Sequence, residues 1–129
     1  VIGKTYRLPS HLVNAARRIV GSTRSYSKNF FNFLIAYGGQ DELLRCVRCM
    51  VKSKPARFTK SVLERYLWVQ RPVDLVIRTG KEHRLSNFLP YQSAYAEIIF
   101  LDKYWPDFTR KDFDHCLAEF GRRQRRMGS

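Results

Sequence analysis

The feature that most constrains the fold is a nearly unbroken apolar run of strand length, "VDLVI", at residues 73–77. Such runs are typical of strands that are covered on both faces in a parallel sheet. The run "YAEIIFL" at residues 95–101 predicts a second strand. Residues 1–3 and 30–36 predict two more, because apolar, β-branched and aromatic residues cluster there. We therefore expect four strands.

Helical patterns alternate with these strands. The alternation predicts an α/β fold, a parallel sheet flanked by helices, in which ligands bind beyond the carboxyl ends of the strands. The expected helices are residues 12–20, with Pro9 at the start and Gly21 at the end; residues 43–51, capped by Asp41; residues 59–67; a short helix that opens at Ser86; and a last helix capped by Thr109 with Asp112.

The composition of the chain limits the kinds of partner that it can bind. The chain has 129 residues with 44% hydrophobic content, enough for one core, and 24 Lys and Arg against 11 Asp and Glu give a net charge of +13. That charge favours nucleic acid, an acidic membrane surface or phosphorylated small molecules as partners. Cys46 and Cys49 are more simply explained as small buried residues than as zinc ligands, because no second ligand pair follows at suitable spacing. We expect a reducing, cytoplasmic location.

A basic motif, "RTGKEHRLS" at residues 78–86, directly follows the run at 73–77. Forked arginines, hydroxyl donors and free backbone amides at a helix start are the groups that hold a diphosphate. Arg78, Arg84 and Ser86 supply these groups, and Gly80 would let the backbone approach closely. The motif therefore predicts a site for a small phosphorylated ligand.

The segment "DLVIRTGKEHRLSNFLPYQSAYAEIIFLDKYWPDF" resembles the signature region of the cis-prenyltransferases, the undecaprenyl diphosphate synthase family. "AYGGQDEL" and "RRQRRMG" resemble two further segments of that family. The resemblance implies a magnesium-dependent transferase that condenses isopentenyl diphosphate with an allylic prenyl diphosphate and makes a long-chain cis-polyprenyl diphosphate. It also implies a homodimer, which we expect to form around residues 97–105.

The resemblance assigns roles residue by residue. Arg78, Arg84 and Ser86 would bind isopentenyl diphosphate at the loop that Gly80 opens, with His83 and Arg84 as the catalytic groups. His83 would lie close to the metal and the diphosphate. Glu97 would help to bind Mg2+, in its own subunit or across the dimer. Arg126 and Gly128 match a tail segment that can reach a diphosphate in a neighbouring subunit.

Four departures from the family pattern are visible, and one of them, Pro90-Tyr91 in place of an apolar residue and Trp, changes little because Tyr keeps the aromatic face. Lys81 replaces a glycine of the motif, which could change the loop, and Gln40 replaces an arginine. The Asp-Gly-Asn-Gly-Arg-Trp segment that holds the allylic diphosphate in this family is not found. We therefore expect residues 1–129 to be the carboxyl-terminal part of a single domain that is incomplete at the amino terminus, supplies the isopentenyl diphosphate half of the site and is inactive alone.

Two alternatives remain. A non-catalytic partner subunit of a prenyltransferase heteromer would share the family pattern, although the complete arginine and serine motif argues against it. A basic nucleic-acid-binding module would fit the charge and the interleaved aromatic residues. It would not require Gly80, Ser86 and Glu97 at family spacing, so no nucleic acid is expected. The basic tail suggests a peripheral contact with phospholipid. Phe30, Phe31, Phe33 and Phe108 are expected in the core.

Overall fold

The structure, a computed structural model, describes residues 1–123 and divides into two compact units, one from Val1 to Trp68 and one that begins at Val69. Arg126 and Gly128 lie outside the described residues. The first unit contains helices α1 (Ser10–Ser22), α2 (Gly39–Ser53) and α3 (Lys60–Tyr66); the second contains strands β1 (Leu75–Thr79) and β2 (Glu97–Leu101) and helix α4 (Arg110–Arg122). Across residues 1–123, no helix combines the length and apolar content needed to cross a membrane.

The helices of the first unit begin close to their predicted starts. Pro9 is the N-cap of α1, as expected, and the Thr59 hydroxyl accepts a hydrogen bond from the amide of Val62 at the start of α3. The predicted cap of α2 is wrong, because Gly38 occupies the N-cap position. The Asp41 carboxylate instead accepts a 2.7 Å hydrogen bond from the Lys4 ammonium group.

The two strands predicted near the amino terminus are also wrong. Residues 1–3 and 30–36 form only one isolated parallel bridge, between Ile2 and Leu34. Gly3 has φ of 121° and Ala36 has φ of 50°, so both segments leave the extended region just after the bridge and the ladder cannot continue beyond it. Phe31 is 80% exposed, and Phe30 and Phe33 are exposed too, so the core positions expected for these three rings are not observed.

The core of the first unit is built around a buried carboxylate on α2. Glu42 is 1% exposed, and it accepts hydrogen bonds of 2.5 Å from the Tyr37 hydroxyl and from the backbone amide of Trp68. A buried charge needs such partners, because it has lost its hydration. Cys46, one turn further along α2, is fully buried. Burial is the main cause that raises the pKa of its thiol, and the nearby Glu42 charge is the second.

The second unit confirms the expected parallel pairing. β1 and β2 are hydrogen-bonded in parallel, with Leu75 opposite Glu97 and Arg78 opposite Phe100. β1 lies two residues further along the chain than the apolar run predicted, so Arg78 and Thr79 are its last residues. Side chains alternate between the faces of a sheet, which puts Arg78 and Phe100 on one face and Glu97 on the other.

The segment between the strands departs from its prediction. Residues 86–95 form successive turns and bends rather than a short helix. Ser86, Asn87 and Leu89 have φ of 48°, 65° and 48°, and residues in the left-handed region cannot propagate a right-handed helix. By contrast, the capping box of α4 is confirmed, with Thr109 and Asp112 each accepting a hydrogen bond from the other's backbone amide.

Candidate functional site

The carboxyl ends of the two parallel strands are tied together. Gly80, the first residue after β1, donates its amide hydrogen to the carbonyl of Lys103 at 2.7 Å, just beyond the end of β2. Gly80 has φ of 107°, a conformation that residues with a Cβ rarely adopt. Lys81, which replaces a glycine of the family motif, is not among the residues with positive φ. A side chain at this position is therefore compatible with the backbone of the loop. This edge of the sheet is therefore closed by backbone contacts.

Arg78 holds the loop that follows it. Its Nη1 donates a 3.1 Å hydrogen bond to the Ser86 hydroxyl and another hydrogen bond to the carbonyl of Arg84. The structure thus brings together Arg78 and Ser86, two of the three residues predicted to bind a diphosphate. Because Ser86 lies in a turn, the helix-start amides expected beside it are not present.

The side chain of Arg84 is directed elsewhere. It forms an ion pair with Glu82 and is 63% exposed. Exposed ion pairs of this kind contribute little to the stability of the fold, so little free energy is lost when one partner binds another group. The structure therefore places the Arg84 backbone in the closed loop, while its guanidinium lies at the surface beside Glu82.

His83 lies between a ring and a carboxylate. Its imidazole stacks on Phe100 with centroids 4.9 Å apart, and its Nε2 is 3.2 Å from a carboxylate oxygen of Asp102. Asp102 was missed by the sequence reasoning. The signal that could have found it is its position, because it directly follows β2 as Gly80 follows β1, and the carboxyl ends of parallel strands lie at one edge.

Lys103 and Asp112 form a second contact that sequence reasoning missed. The Lys103 ammonium group donates a 2.7 Å hydrogen bond to the Asp112 carboxylate at the start of α4. This bond is the main cause that holds the pKa of Asp112 well below its usual range, and the hydrogen bonds from Thr109 are the next. Lys103 thus joins the loop after β1, through its carbonyl, to the first turn of α4, through its side chain.

Glu97 is at the opposite end of the strands. It is the first residue of β2, three residues before Phe100, so it lies about 10 Å along the strand from the position of Arg78 and on the other face. Its carboxylate accepts a 2.9 Å hydrogen bond from Arg123, which also pairs with Glu119. Hydrogen bonds to these two carboxylates raise the pKa of the Arg123 guanidinium, and the bond to Glu97 has the larger effect. The structure does not bring Glu97 to the Arg78 group.

The described residues do not supply a complete set of metal ligands. Within residues 1–123, no group of three or more His, Cys, Asp or Glu could hold a metal ion. Mg2+ commonly takes only one or two protein carboxylates and fills its other positions with phosphate oxygens and water. A single carboxylate such as Glu97 fits that ligand set.

Comparisons with known proteins show the family to which the chain belongs. Residues 1–128 match the family described as "Putative undecaprenyl diphosphate synthase". The match covers nearly the whole chain, and the chain belongs to this family.

Curated relatives and solved structures carry related names. The chain is 41% identical to the tritrans,polycis-undecaprenyl-diphosphate synthase (geranylgeranyl-diphosphate specific) of Thermococcus kodakarensis, in a match over 99% of the chain and 52% of that protein. It is 36% identical to the isoprenyl transferase of Aquifex aeolicus, over 99% and 56%. The chain thus spans about half the length of these relatives.

The solved structures confirm the predicted fold class. A "probable undecaprenyl diphosphate synthase" of Campylobacter jejuni superposes with a TM-score of 0.90 at 31% identity, over 99% of the chain and 61% of that structure. Lavandulyl diphosphate synthase from Lavandula x intermedia, in complex with dimethylallyl diphosphate, superposes with a TM-score of 0.91 at 30% identity, over 99% and 58%. The α/β fold is therefore that of the undecaprenyl diphosphate synthases.

Proposed function

We propose that this chain supplies the isopentenyl diphosphate half of the site of a cis-prenyltransferase, which joins isopentenyl diphosphate to an allylic prenyl diphosphate to make a long-chain cis-polyprenyl diphosphate. The observation that carries the proposal is the closed loop at the end of β1, where Arg78 contacts Ser86 and the carbonyl of Arg84. Family membership supports the transferase class. The names of the relatives support transfer of an isoprenyl group and a prenyl diphosphate product.

In this proposal, the loop binds the diphosphate of the isopentenyl substrate. Arg78 already occupies the closed loop, and Arg84 exchanges its exposed contact with Glu82 for the phosphate oxygens. Ser86 donates its hydroxyl. The three groups fix the isopentenyl double bond against the allylic carbon, where the C–O bond breaks to release the allylic diphosphate and the new C–C bond forms. The proton lost from the isopentenyl unit passes to the released diphosphate or to water.

A bound Mg2+ would neutralise charge on the diphosphate oxygens as that C–O bond breaks. Glu97 is the proposed carboxylate ligand. Since it lies at the other end and on the other face of the strand pair from Arg78, we propose that it serves the site of a partner subunit. His83 is the proposed neighbour of the diphosphate, and Asp102 fixes one of its ring nitrogens.

A homodimer, a cytoplasmic location and a peripheral membrane contact belong to the same proposal. The dimer would form around residues 97–105, where Tyr104 and Trp105 are exposed aromatic side chains. Exposed aromatic residues are enriched at protein interfaces. We also propose that the chain is inactive alone, since it spans about half the length of its relatives.

The test is a calorimetric titration of the chain with isopentenyl diphosphate, with and without Mg2+, in the presence and absence of a short RNA. Arg84→Ala should weaken the affinity by about tenfold or more, because a charged hydrogen bond to phosphate is lost. Arg110→Ala is the matched control, since Arg110 is also exposed and paired with a carboxylate, that of Asp114.

The control variant should bind as the wild type does. Equal weakening in both variants would reduce the effect to net charge and count against the assignment. Binding that RNA displaces would favour the nucleic-acid-binding alternative. If the folded chain binds neither ligand, the proposed half-site is wrong.

A further inference from the structure

Lys103 lies where the ladder between the two strands has ended. The last paired residues of β1 and β2 are Thr79 and Leu101. Beyond them, the amide of Gly80 donates its 2.7 Å hydrogen bond to the carbonyl of Lys103. Lys103 lies in a bend rather than in β2, so the ladder does not fix its backbone. The bond therefore holds Gly80 only as firmly as Lys103 itself is held.

Packing does not fix the position of Gly80. A Cβ built on this residue would meet no described atom within 4 Å, and its φ of 107° lies in a region that glycine enters freely. The direction in which the loop of residues 80–86 leaves β1 therefore depends on the hydrogen bond to Lys103.

The side chain of Lys103 is anchored on α4. Its ammonium group donates a 2.7 Å hydrogen bond to the Asp112 carboxylate, which is only 21% exposed. Asp112 is held from a second direction, because its other carboxylate oxygen accepts bonds of 2.8 Å and 2.6 Å from the amide and the hydroxyl of Thr109. The anchor is thus the capped first turn of a 13-residue helix.

We propose that Lys103 is a positioning residue for the diphosphate loop: its carbonyl fixes Gly80, and its ammonium group takes its own position from Asp112 at the start of α4. The proposal rests on the proposed function, in which residues 78–86 bind the diphosphate of isopentenyl diphosphate. Groups that bind a substrate need such support, because a misplacement of about 1 Å is enough to weaken their action.

A direct contact between the Lys103 ammonium group and the diphosphate is the rival explanation, and the signs of the charges separate the two. Lys103→Met removes a positive charge, whereas Asp112→Asn removes a negative one. If Lys103 acted as a phosphate ligand or through net charge, the first variant would weaken anion binding and the second would strengthen it. Positioning predicts that both variants weaken it, because both break the same contact.

The experiment is a calorimetric titration of the chain and its variants with isopentenyl diphosphate. Lys103→Met and Asp112→Asn should each lower the affinity by about twofold to thirtyfold, the range found for residues that act through such contacts. The double variant should lose no more than the more affected single variant, because one contact is removed in all three. Lys103→Arg keeps a charged donor and should retain most of the affinity.

Lys4→Met is the matched control. The Lys4 ammonium group also donates a 2.7 Å hydrogen bond to an aspartate in the first turn of a helix, Asp41 of α2. The substitution removes the same charge and the same kind of contact from the other unit, so it should lower the thermal midpoint comparably and leave the affinity near that of the wild type.

Hydrogen exchange of the Gly80 amide, followed by NMR, measures the positioning without a ligand. Exchange should be faster in Lys103→Met and Asp112→Asn, and unchanged in Lys103→Arg and Lys4→Met. If the wild type bound no isopentenyl diphosphate, the proposed function would fail, while the exchange rate of Gly80 would still decide whether Lys103 positions the loop.

Three outcomes would overturn the proposal. The first is an affinity that rises in Asp112→Asn, which would make Lys103 a direct ligand. The second is a double variant whose loss is the product of the two single losses. The third is a Gly80 exchange rate that Lys103→Met leaves unchanged, or that Lys4→Met raises equally.

Discussion

The two ends of the strand pair differ in how their charges are satisfied. At the carboxyl ends, Arg78 is held by a hydroxyl and a backbone carbonyl, and no carboxylate is among the partners that the structure shows for it. At the amino end of β2, Glu97 is paired with Arg123, which also holds Glu119. One end keeps a positive charge for a ligand, while the other is neutralised within the chain.

The difference bears on the proposed site of the diphosphate. Neutral oxygen acceptors orient Arg78 without cancelling its charge, so a diphosphate gains the full attraction at the carboxyl ends. At the amino end, a metal ion would have to displace Arg123 from Glu97 before it could bind that carboxylate. Under the proposed function, the carboxyl end would therefore accept a diphosphate as it stands, whereas the amino end would first have to rearrange before it could bind a metal ion.

The largest expected effect comes from removing the cation at the carboxyl end. Arg78→Ala should weaken isopentenyl diphosphate binding by about thirtyfold or more, since losing one partner of a charged hydrogen-bonded pair costs about 2–5 kcal/mol. Calorimetry on the purified chain measures the affinity. Arg78→Lys keeps the charge but not the fork, so it should lie between wild type and Arg78→Ala. An affinity that survives Arg78→Ala would place the ligand elsewhere.

Gly80→Ala tests the backbone that closes the same end. A Cβ at this position would meet no atom within 4 Å, so the cost is conformational, about 1–2 kcal/mol of unfolding free energy for φ of 107°. Denaturant unfolding measures it. Gly121→Ala is the control, because Gly121 lies within α4 with open space around it and alanine favours helix there. Equal stability changes in both variants would contradict the role of the left-handed backbone.

Arg123→Ala tests the neutralised end. It leaves Glu97, 22% exposed, without its ion-pair partner and removes the hydrogen bond to the carbonyl of Ile98. We expect a lower midpoint of thermal unfolding and little change in isopentenyl diphosphate affinity. Arg110→Ala, which breaks a more exposed pair with Asp114, should leave the midpoint nearly unchanged. If Arg123→Ala lowered the isopentenyl diphosphate affinity and left the thermal midpoint unchanged, the two ends of the strand pair would not have separate roles.

The smallest expected effect is the pH dependence at the start of α4. Hydrogen bonds from Lys103 and then Thr109 lower the pKa of Asp112, so its ionised form stabilises the folded state. That contribution is complete above the unfolded value of about 3.9 and is lost as the pH falls further. Asp112→Asn should therefore lower the thermal midpoint at neutral pH, and its difference from wild type should shrink below about pH 4. A constant difference across that range would exclude the ionic contribution.

Local signals in the sequence predicted much of the second unit. An apolar run before a basic motif was enough to predict the parallel strand that became β1, displaced by two residues, and Thr109 with Asp112 was enough to predict the start of α4. These features depend on neighbouring residues alone. Family membership and the α/β fold were predicted for the same reason, since the motif residues are contiguous.

Other features depend on contacts that spacing does not show. The left-handed backbone at Ser86, Asn87 and Leu89 replaced a predicted helix, and none of these residues is a glycine that would have marked it. The predicted strand at 30–36 had suitable composition but pairs only through Leu34. Asp102 and Lys103 were missed because their partners, His83 and Asp112, lie in other loops and elements.

The most direct test of the central claim is an amide NMR titration of the chain with isopentenyl diphosphate. The account predicts shifts confined to residues 78–86 and their neighbours 102–103, with the amides of Glu97 and Arg123 unmoved. Arg84→Ala should suppress those shifts, and Arg110→Ala should preserve them. Shifts centred on Glu97 and Arg123, or no saturable shifts in a folded chain, would contradict the assignment of the diphosphate to the carboxyl ends of the strands.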